Sequence, residues 1–275
     1  MQLSVSGSPR HFIRYALFLK NIKETFMIVV VSPAKKLNMN LIQGLKVSEP
    51  YFTENVYELV NVVRNLNLKE LENLMGISSS LAELNKKRFN EFGNQQKKAA
   101  AFAFAGDTYK GLSVEKLEKD DLDFAQKHLR ILSGLYGLLR PLDEIEPYRL
   151  EMGSKLKGKH GSSLYEYWGN KISENLNQHA NTIGSKILVN CASNEYFNAI
   201  NNNNLLLKVI TPIFMERKNG KEKIISFYAK NARGAMARFI IQNRLQREED
   251  LKNFDIDGYN YNAEKSSEDK LVFVR

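Results

Sequence analysis

Cysteine is almost missing from these 275 residues: Cys191 is the only one, set in the apolar run KILVNCAS. An intramolecular disulfide is therefore excluded, and a reducing cytoplasm is the expected compartment. With no histidine beside it in sequence, Cys191 reads as a packed core thiol rather than a nucleophile. Histidine is also scarce. His11, His128, His160 and His179 are widely separated, and neither zinc-finger spacing nor a His-Glu-x-x-His pattern occurs, so no metal and no other cofactor is expected. There is no Walker loop and no Gly-x-Gly-x-x-Gly, the two familiar glycine-rich phosphate cradles. No apolar run approaches the roughly 20 residues of a membrane span, and no internal repeat interrupts the chain.

Positive charge is what the chain has in excess: 40 Lys and Arg against 31 Asp and Glu, a net +9. This balance favours polyanionic partners such as nucleic acid, although it also serves solubility. Short runs rich in Val, Ile and Phe recur at 28–31, 99–105, 129–133, 186–191, 205–215, 222–228 and 270–274, separated by segments of helical periodicity. That alternation predicts a mixed α/β fold. Asn219-Gly220, between VITPIFMER and KEKIISFYA, is a strong hairpin signal and makes at least this strand pair antiparallel. Residues 1–26 read as an N-terminal extension outside the fold, because the β-branched run begins at Met27 and no small-residue cleavage site follows YALFL. Residues 27–275 then form a single compact domain with a mixed sheet, surrounding helices and an inserted helical element within 54–92. In that element Val56, Leu59, Val60, Val63 and Leu66 keep helical spacing, and KELENLM ends at Gly76. A third helix is expected after Ser78, with Ser80 and Glu83 as a capping box.

Several segments carry residue types suited to an anionic ligand. In LMGISSSLAELN, the turn Gly76-Ile77-Ser78 joins two short helices and places Ala82 four residues after Ser78. It is similar to a helix-hairpin-helix, whose exposed N–H groups bind phosphate without reading bases; the alternative is an ordinary packing corner. VVVSPAKK sets Lys35 just past a buried strand, where ligands of α/β proteins usually sit. AGDTYKGL places Asp107 beside Gly106, as a turn residue or a cleft carboxylate. NCASNEYF puts Glu195 at a strand end, as an acid or base or as an arginine's partner. In LSGLYGLLRPLD the leucines pin a loop that Gly134 and Gly137 bend, and Pro141 pushes Arg140 out of any helix. Arg140 is expected to face a cleft shared with Lys35, Lys230 and Arg233, or else to pair with Asp143 or Glu146; Arg149 follows in EPYRLEMG. Within FYAKNARGAMARFIIQNRL, a helix of ~100° per residue places Lys230, Arg233 and Arg244 in an arc of about 60°. Ala237 lies between these cations, a small residue that lets a phosphate backbone approach.

SPAK at 32–35, FAGDTYKGL at 104–112, HLRILSGLYGLLRPLDEIEPYRLEMG at 128–153, LYEYWG at 164–169, ASNEYF at 192–197 and IISFYAKNARGAMARFIIQNRL at 224–245 together resemble the bacterial YaaA family of peroxide-stress proteins. The resemblance runs from Met27 to the C-terminus, and family members typically start at the position of Met27. It implies a cytoplasmic protein of unusual mixed α/β fold that binds DNA, duplex or branched, through a basic cleft and a helix-hairpin-helix. It also implies protection from peroxide by lowering free intracellular iron. Two classes of function stay open. In one, DNA is bound without turnover: Gly76, Ile77 and Ser78 anchor phosphates while Lys35, Arg140, Arg149, Lys230, Arg233 and Arg244 track the backbone. In the other, the cleft is an enzyme site for nucleic acid, a nucleotide or another small molecule. Asp107 or Glu195 is then the acid or base, and Lys35 and Arg140 stabilise developing charge.

Overall fold

β1 (Ile28–Val31) is four consecutive β-branched residues with no solvent exposure, as expected of a strand covered on both faces. The computed structural model describes residues 26–158 and 161–275. The reading of 1–26 as an extension therefore lies outside the described residues except at Phe26, whose ring meets Phe124 and His128 edge-on at 5.1 and 5.4 Å.

The other strands are β2 (Lys98–Ala99), β3 (Leu129–Ser133), β4 (Gly137–Leu139), β5 (Glu144–Ile145), β6 (Ile187–Cys191), β7 (Lys208–Lys218), β8 (Lys221–Lys223), β9 (Asn260–Tyr261) and β10 (Lys270–Val274). The main sheet runs β4-β3-β1-β6-β7-β10-β9, with β8 paired to β7. β3, β1, β6, β7 and β10 are mutually parallel, whereas β4, β8 and β9 are antiparallel to their neighbours. The sheet is thus mixed, and helices surround it.

The helices are α1 (Thr53–Arg64), α2 (Leu68–Met75), α3 (Ser79–Glu91), α4 (Ala100–Ala103), α5 (Asp107–Leu112), α6 (Lys119–His128), α7 (Leu164–Trp168), α8 (Lys171–Ile183), α9 (Asn194–Phe197) and α10 (Ser226–Asn243). Two runs expected as strands are partly helix. The helix AAFA follows only a two-residue strand, because alanine is the best helix former and lacks the branched Cβ that favours a pleated sheet. In 222–228 the strand stops at Lys223 and α10 starts at Ser226. The Asn219-Gly220 turn has φ of 52° and 71°, the left-handed pair that a two-residue hairpin requires.

In the 54–92 element, α1 buries Val56, Leu59, Val60 and Val63 as the spacing predicts. The capping box forms one helix earlier than expected: Asn67 Oδ1 accepts from the Glu70 N–H and Glu70 Oε2 from the Asn67 N–H, at 3.0 and 2.7 Å. Ser80 cannot cap, because α3 is already helical at Ser79. Gly76 ends α2 in the left-handed conformation (φ 60°, ψ 48°), and the chain turns at once into α3.

The LSGLYGLLRPLD segment is the β3–β4 hairpin, with Ile131 opposite Leu139 and Ser133 opposite Gly137. Its glycines admit neighbours rather than flexibility. A Cβ on Gly137 would stand 2.6 Å from the Trp168 ring and one on Gly134 2.3 Å from the Leu150 carbonyl oxygen, while Trp168 Nε1–H donates to Gly134 O at 3.0 Å.

α5 packs on α10 with backbone against backbone at their glycines. A Cβ on Gly234 would lie 1.8 Å from Thr108 O, and one on Gly111 would lie 1.9 Å from Asn231 O. Gly234→Ala gains about 1 kcal/mol of helix propensity. The clash is with backbone on both sides, and such overpacking costs about 3 kcal/mol or more. We expect Gly234→Ala to lower the stability by a net ~2 kcal/mol, read as a lower urea midpoint at unchanged m. Adding Gly111→Ala should cost less than it does alone, since both relieve the same crossing. A midpoint equal to that of the parent chain would refute the crossing.

Candidate functional site

β1 and β6 run parallel with Val31 opposite Cys191, so Ser32 and Ser193 leave the sheet side by side. The Ser193 N–H donates to Ser32 Oγ at 2.9 Å, and the Ser32 hydroxyl donates to Ser193 Oγ at 3.3 Å. The Tyr109 hydroxyl holds the Ser32 carbonyl at 3.1 Å. Above this pair opens a cleft of about 410 Å³, a volume suited to a small molecule or a segment of a larger one. It lies beyond the carboxyl ends of parallel strands, where ligands of open α/β sheets bind.

Five segments wall the cleft. Lys35 and Lys36 come from the exit of β1, Asp107 from the first turn of α5, Glu195 from α9, and Lys230 and Arg233 from α10; Glu151 arrives on the loop before α7. Glu151 is mostly covered. It pairs with Arg149 Nε at 3.1 Å and with the exposed Lys35 ammonium at 3.7 Å, so one carboxylate serves two cations. Asp107 pairs with Lys110 at 3.2 Å across one turn of α5. Glu195 Oε1 accepts the Gly153 N–H at 3.1 Å and forms no ion pair among the described residues. Arg233 is half-buried and spends one N–H on the Ala229 carbonyl, at 3.2 Å. No carboxylate pairs with Arg233 or Lys230 among the described residues. Burial pushes the Arg233 guanidinium below its ordinary value, yet an arginine remains a cation at neutral pH.

Lys35, Asp107, Glu195, Lys230 and Arg233 thus share one cleft, and Arg149 touches its edge through Glu151. The expectation that Arg140 belongs with them is corrected. Its backbone N–H and Nε–H donate to the buried Asp143 carboxylate at 2.7 and 2.9 Å, and Nη2 donates to Glu49 O at 2.8 Å. A carboxylate three residues on, across the turn at Pro141, captures it. Arg244 is also diverted: α10 stops at Asn243, Arg244 is left-handed with φ 50°, and its guanidinium pairs with Asp121 at 2.8 Å and lies over the Phe124 ring. The assumed arc required the helix to continue. Ala237 is fully buried, so the small residues of α10 serve internal packing rather than ligand approach.

Gly76, Ile77 and Ser78 line no part of this cleft. At the start of α3 the Glu72 carboxylate accepts from Ser79 Oγ at 2.5 Å and Lys69 Nζ at 3.0 Å, and these hydrogen bonds hold it below the usual carboxylate range. A protein anion therefore already sits beside that helix N-terminus. Glu151 was not singled out from sequence. Its signal was the spacing of Arg149 and Glu151, two apart in extended chain and so on one side. Among the described residues no group of three or more His, Cys, Asp or Glu is placed to hold a metal ion, and no helix is long and apolar enough to cross a membrane.

Comparison with known proteins gives a consistent answer. A family model described as peroxide stress protein YaaA matches residues 27–265. A UPF0246 protein of Ruegeria pomeroyi is 53% identical over 253 residues, covering 90% of this chain and 98% of the relative. One from Roseobacter denitrificans is 53% identical over 255 residues with the same coverage. A UPF0246 protein of Dinoroseobacter shibae is 47% identical over 253 residues, covering 90% of this chain and 95% of its own.

Cys191 ends β6 beneath the cleft and is buried; burial pushes its thiol up to about 12, although the nearby Arg233 charge draws it down. Since only the thiolate attacks, iodoacetamide at pH 8 is expected to leave Cys191 unmodified in the folded protein and to alkylate it in denaturant. Mass spectrometry reads both. Fast labelling of the native chain would mean that the sheet beneath the cleft opens.

Proposed function

Because the chain belongs to the peroxide stress protein YaaA family, we propose that it serves the peroxide-stress response by binding DNA, largely without base specificity, at the cleft beyond β1 and β6. Limiting damage by lowering free intracellular iron is part of the same proposal. Arg233 is the observation that carries it: a half-buried guanidinium, beside Lys230, facing the cleft with no carboxylate partner among the described residues. Placing an unpaired cation out of bulk water is costly, and a phosphate offsets that cost while accepting charge-assisted hydrogen bonds. Lys35, Lys36 and Lys230 extend the positive surface, and contacts of this kind bind the backbone without reading bases. The helical hairpin at Gly76–Ser78 is the second proposed contact and the weaker one, since a phosphate there must displace Glu72.

One feature favours a second function, turnover of a nucleotide or nucleic acid in the same cleft. Asp107, Glu151 and Glu195 line a volume of small-molecule size, and Glu195 has no neutralising cation among the described residues. A carboxylate so placed can exchange a proton with a ligand held by Arg233 and Lys230.

Two measurements separate these activities. For DNA binding, Arg233→Ala should weaken duplex affinity regardless of sequence and reduce the magnitude of the log-affinity versus log-salt slope by about one. Arg140→Ala, whose guanidinium is committed to Asp143, should lower stability and leave the slope as it was. An unchanged slope in Arg233→Ala would sink the phosphate contact. For turnover, DNA and nucleotides incubated with the protein are analysed by mass spectrometry. A chemical change that Glu195→Gln abolishes while DNA affinity persists would establish catalysis, and no change with either chain would eliminate it for these substrates.

A further inference from the structure

A second recess, of about 450 Å³, opens between the start of β3 and α8 and shares no lining residue with the cleft. Arg130, the second residue of β3, is 4% exposed yet lines this recess. Its Nη1 donates to the carbonyls of Gln126 and Leu129 at 3.1 and 2.8 Å. Nε and Nη2 have no hydrogen-bond acceptor, and the guanidinium has no ion pair, among the described residues. Asp143 is the acid whose charge acts on Arg130, but its oxygens are taken: Oδ1 by Ser48 Oγ at 2.7 Å and Arg140 Nε at 2.9 Å, Oδ2 by the Arg140 N–H at 2.7 Å. A nearly buried guanidinium therefore has no carboxylate in direct contact among the described residues, shares the charge of Asp143 with Arg140, and keeps three N–H donors free toward the recess. Leaving such a charge only partly compensated is costly in a folded protein.

The neighbours indicate what supplies the missing charge. Arg140 and Lys127 line the same recess from the end of β4 and from α6, and Glu49 is the exposed carboxylate that partly opposes them. His179 adds no charge at neutral pH. Burial and the Arg130 charge push its imidazole down to about 4, and its Nε2–H donates to the Lys127 carbonyl at 2.5 Å. Two cationic donors, Arg130 and Lys127, thus approach from two elements, and Arg140, whose Nε–H and Nη2 are committed to Asp143 and the Glu49 carbonyl, adds positive charge beside them. A carboxylate has two oxygens and is satisfied by one guanidinium fork, whereas a phosphoryl group offers three acceptor oxygens in different directions. We propose that this recess is a binding site for a small molecule carrying a phosphoryl group, held by Arg130 with Lys127 at its mouth and the Asp143-paired Arg140 beside them.

The probe is inorganic phosphate, added to the full chain labelled with ¹⁵N-arginine. The Arg130 Nε–H signal should shift saturably with phosphate and not with acetate at equal ionic strength. By calorimetry, Arg130→Met should weaken phosphate binding about tenfold or more, the loss expected for hydrogen bonds to a charged group. Because loss of a buried residue can unfold the chain, the exposed Lys127→Ala is the companion variant; it should weaken the same binding several-fold with an unaltered melt. Arg233→Ala, in the cleft, should leave the Arg130 shift intact. A signal that does not move, moves equally with acetate, or depends on Arg233 instead of Lys127 would overturn the proposal.

Discussion

The contact of α5 with α10 through Gly111 and Gly234 sets the width of the cleft. With no side chain on either glycine the two helix backbones meet directly, which no larger residue would allow. Asp107 stands at the start of one helix, while Lys230 and Arg233 lie within about one turn of Gly234 on the other. Holding these backbones in contact is what places acidic and basic side chains around one volume. The parallel pairing of β1 with β6 supplies the floor, because its register delivers two serines together.

Charge is distributed by compensation rather than by accumulation. A net +9 does not produce one continuous basic surface. Arg140, Arg149, Arg217, Arg244, Arg247 and Arg275 all pair with nearby acids, most of them within the same stretch of chain or the adjoining element. Arg64, Arg88, Arg233 and Arg238 are partly buried and Arg130 is buried, none with a carboxylate partner among the described residues; of these, Arg130 and Arg233 line the two recesses. Exposed pairs contribute little to stability, so the arginines that reveal most about ligands are these two.

Much of the fold was legible because it rests on local patterns. Consecutive β-branched residues announced β1, KLVFV became β10 with the expected bounds, and Asn219-Gly220 marked its hairpin. The strand expected at 99–105 failed because alanine-rich runs carry hydrophobicity without a strand preference. For the site, Lys35 and Glu195 follow β1 and β6 into one cavity, as position past a strand end suggests, whereas Asp107 joins them from the start of α5 after a run that is mostly helix. Partner choice was not legible. Nothing in LLRPLD states whether Arg140 faces a ligand or turns back to Asp143, and the end of α10 at Asn243 depends on packing that displaces Arg244 toward Asp121. The glycine and alanines of NARGAMAR look alike whether a phosphate or another helix approaches them, and here α5 occupies that side at Gly234.

The buried thiol of Cys191 has a consequence for a protein of the peroxide-stress class. Oxidants act on thiolates that they can reach, and this sulfur is neither ionised at neutral pH nor accessible. The chain holds no other cysteine. It therefore has no sulfenic acid to form, no resolving partner to form a bridge and nothing for a cellular dithiol to repair. Cysteine chemistry on the folded chain thus offers no ready on or off state.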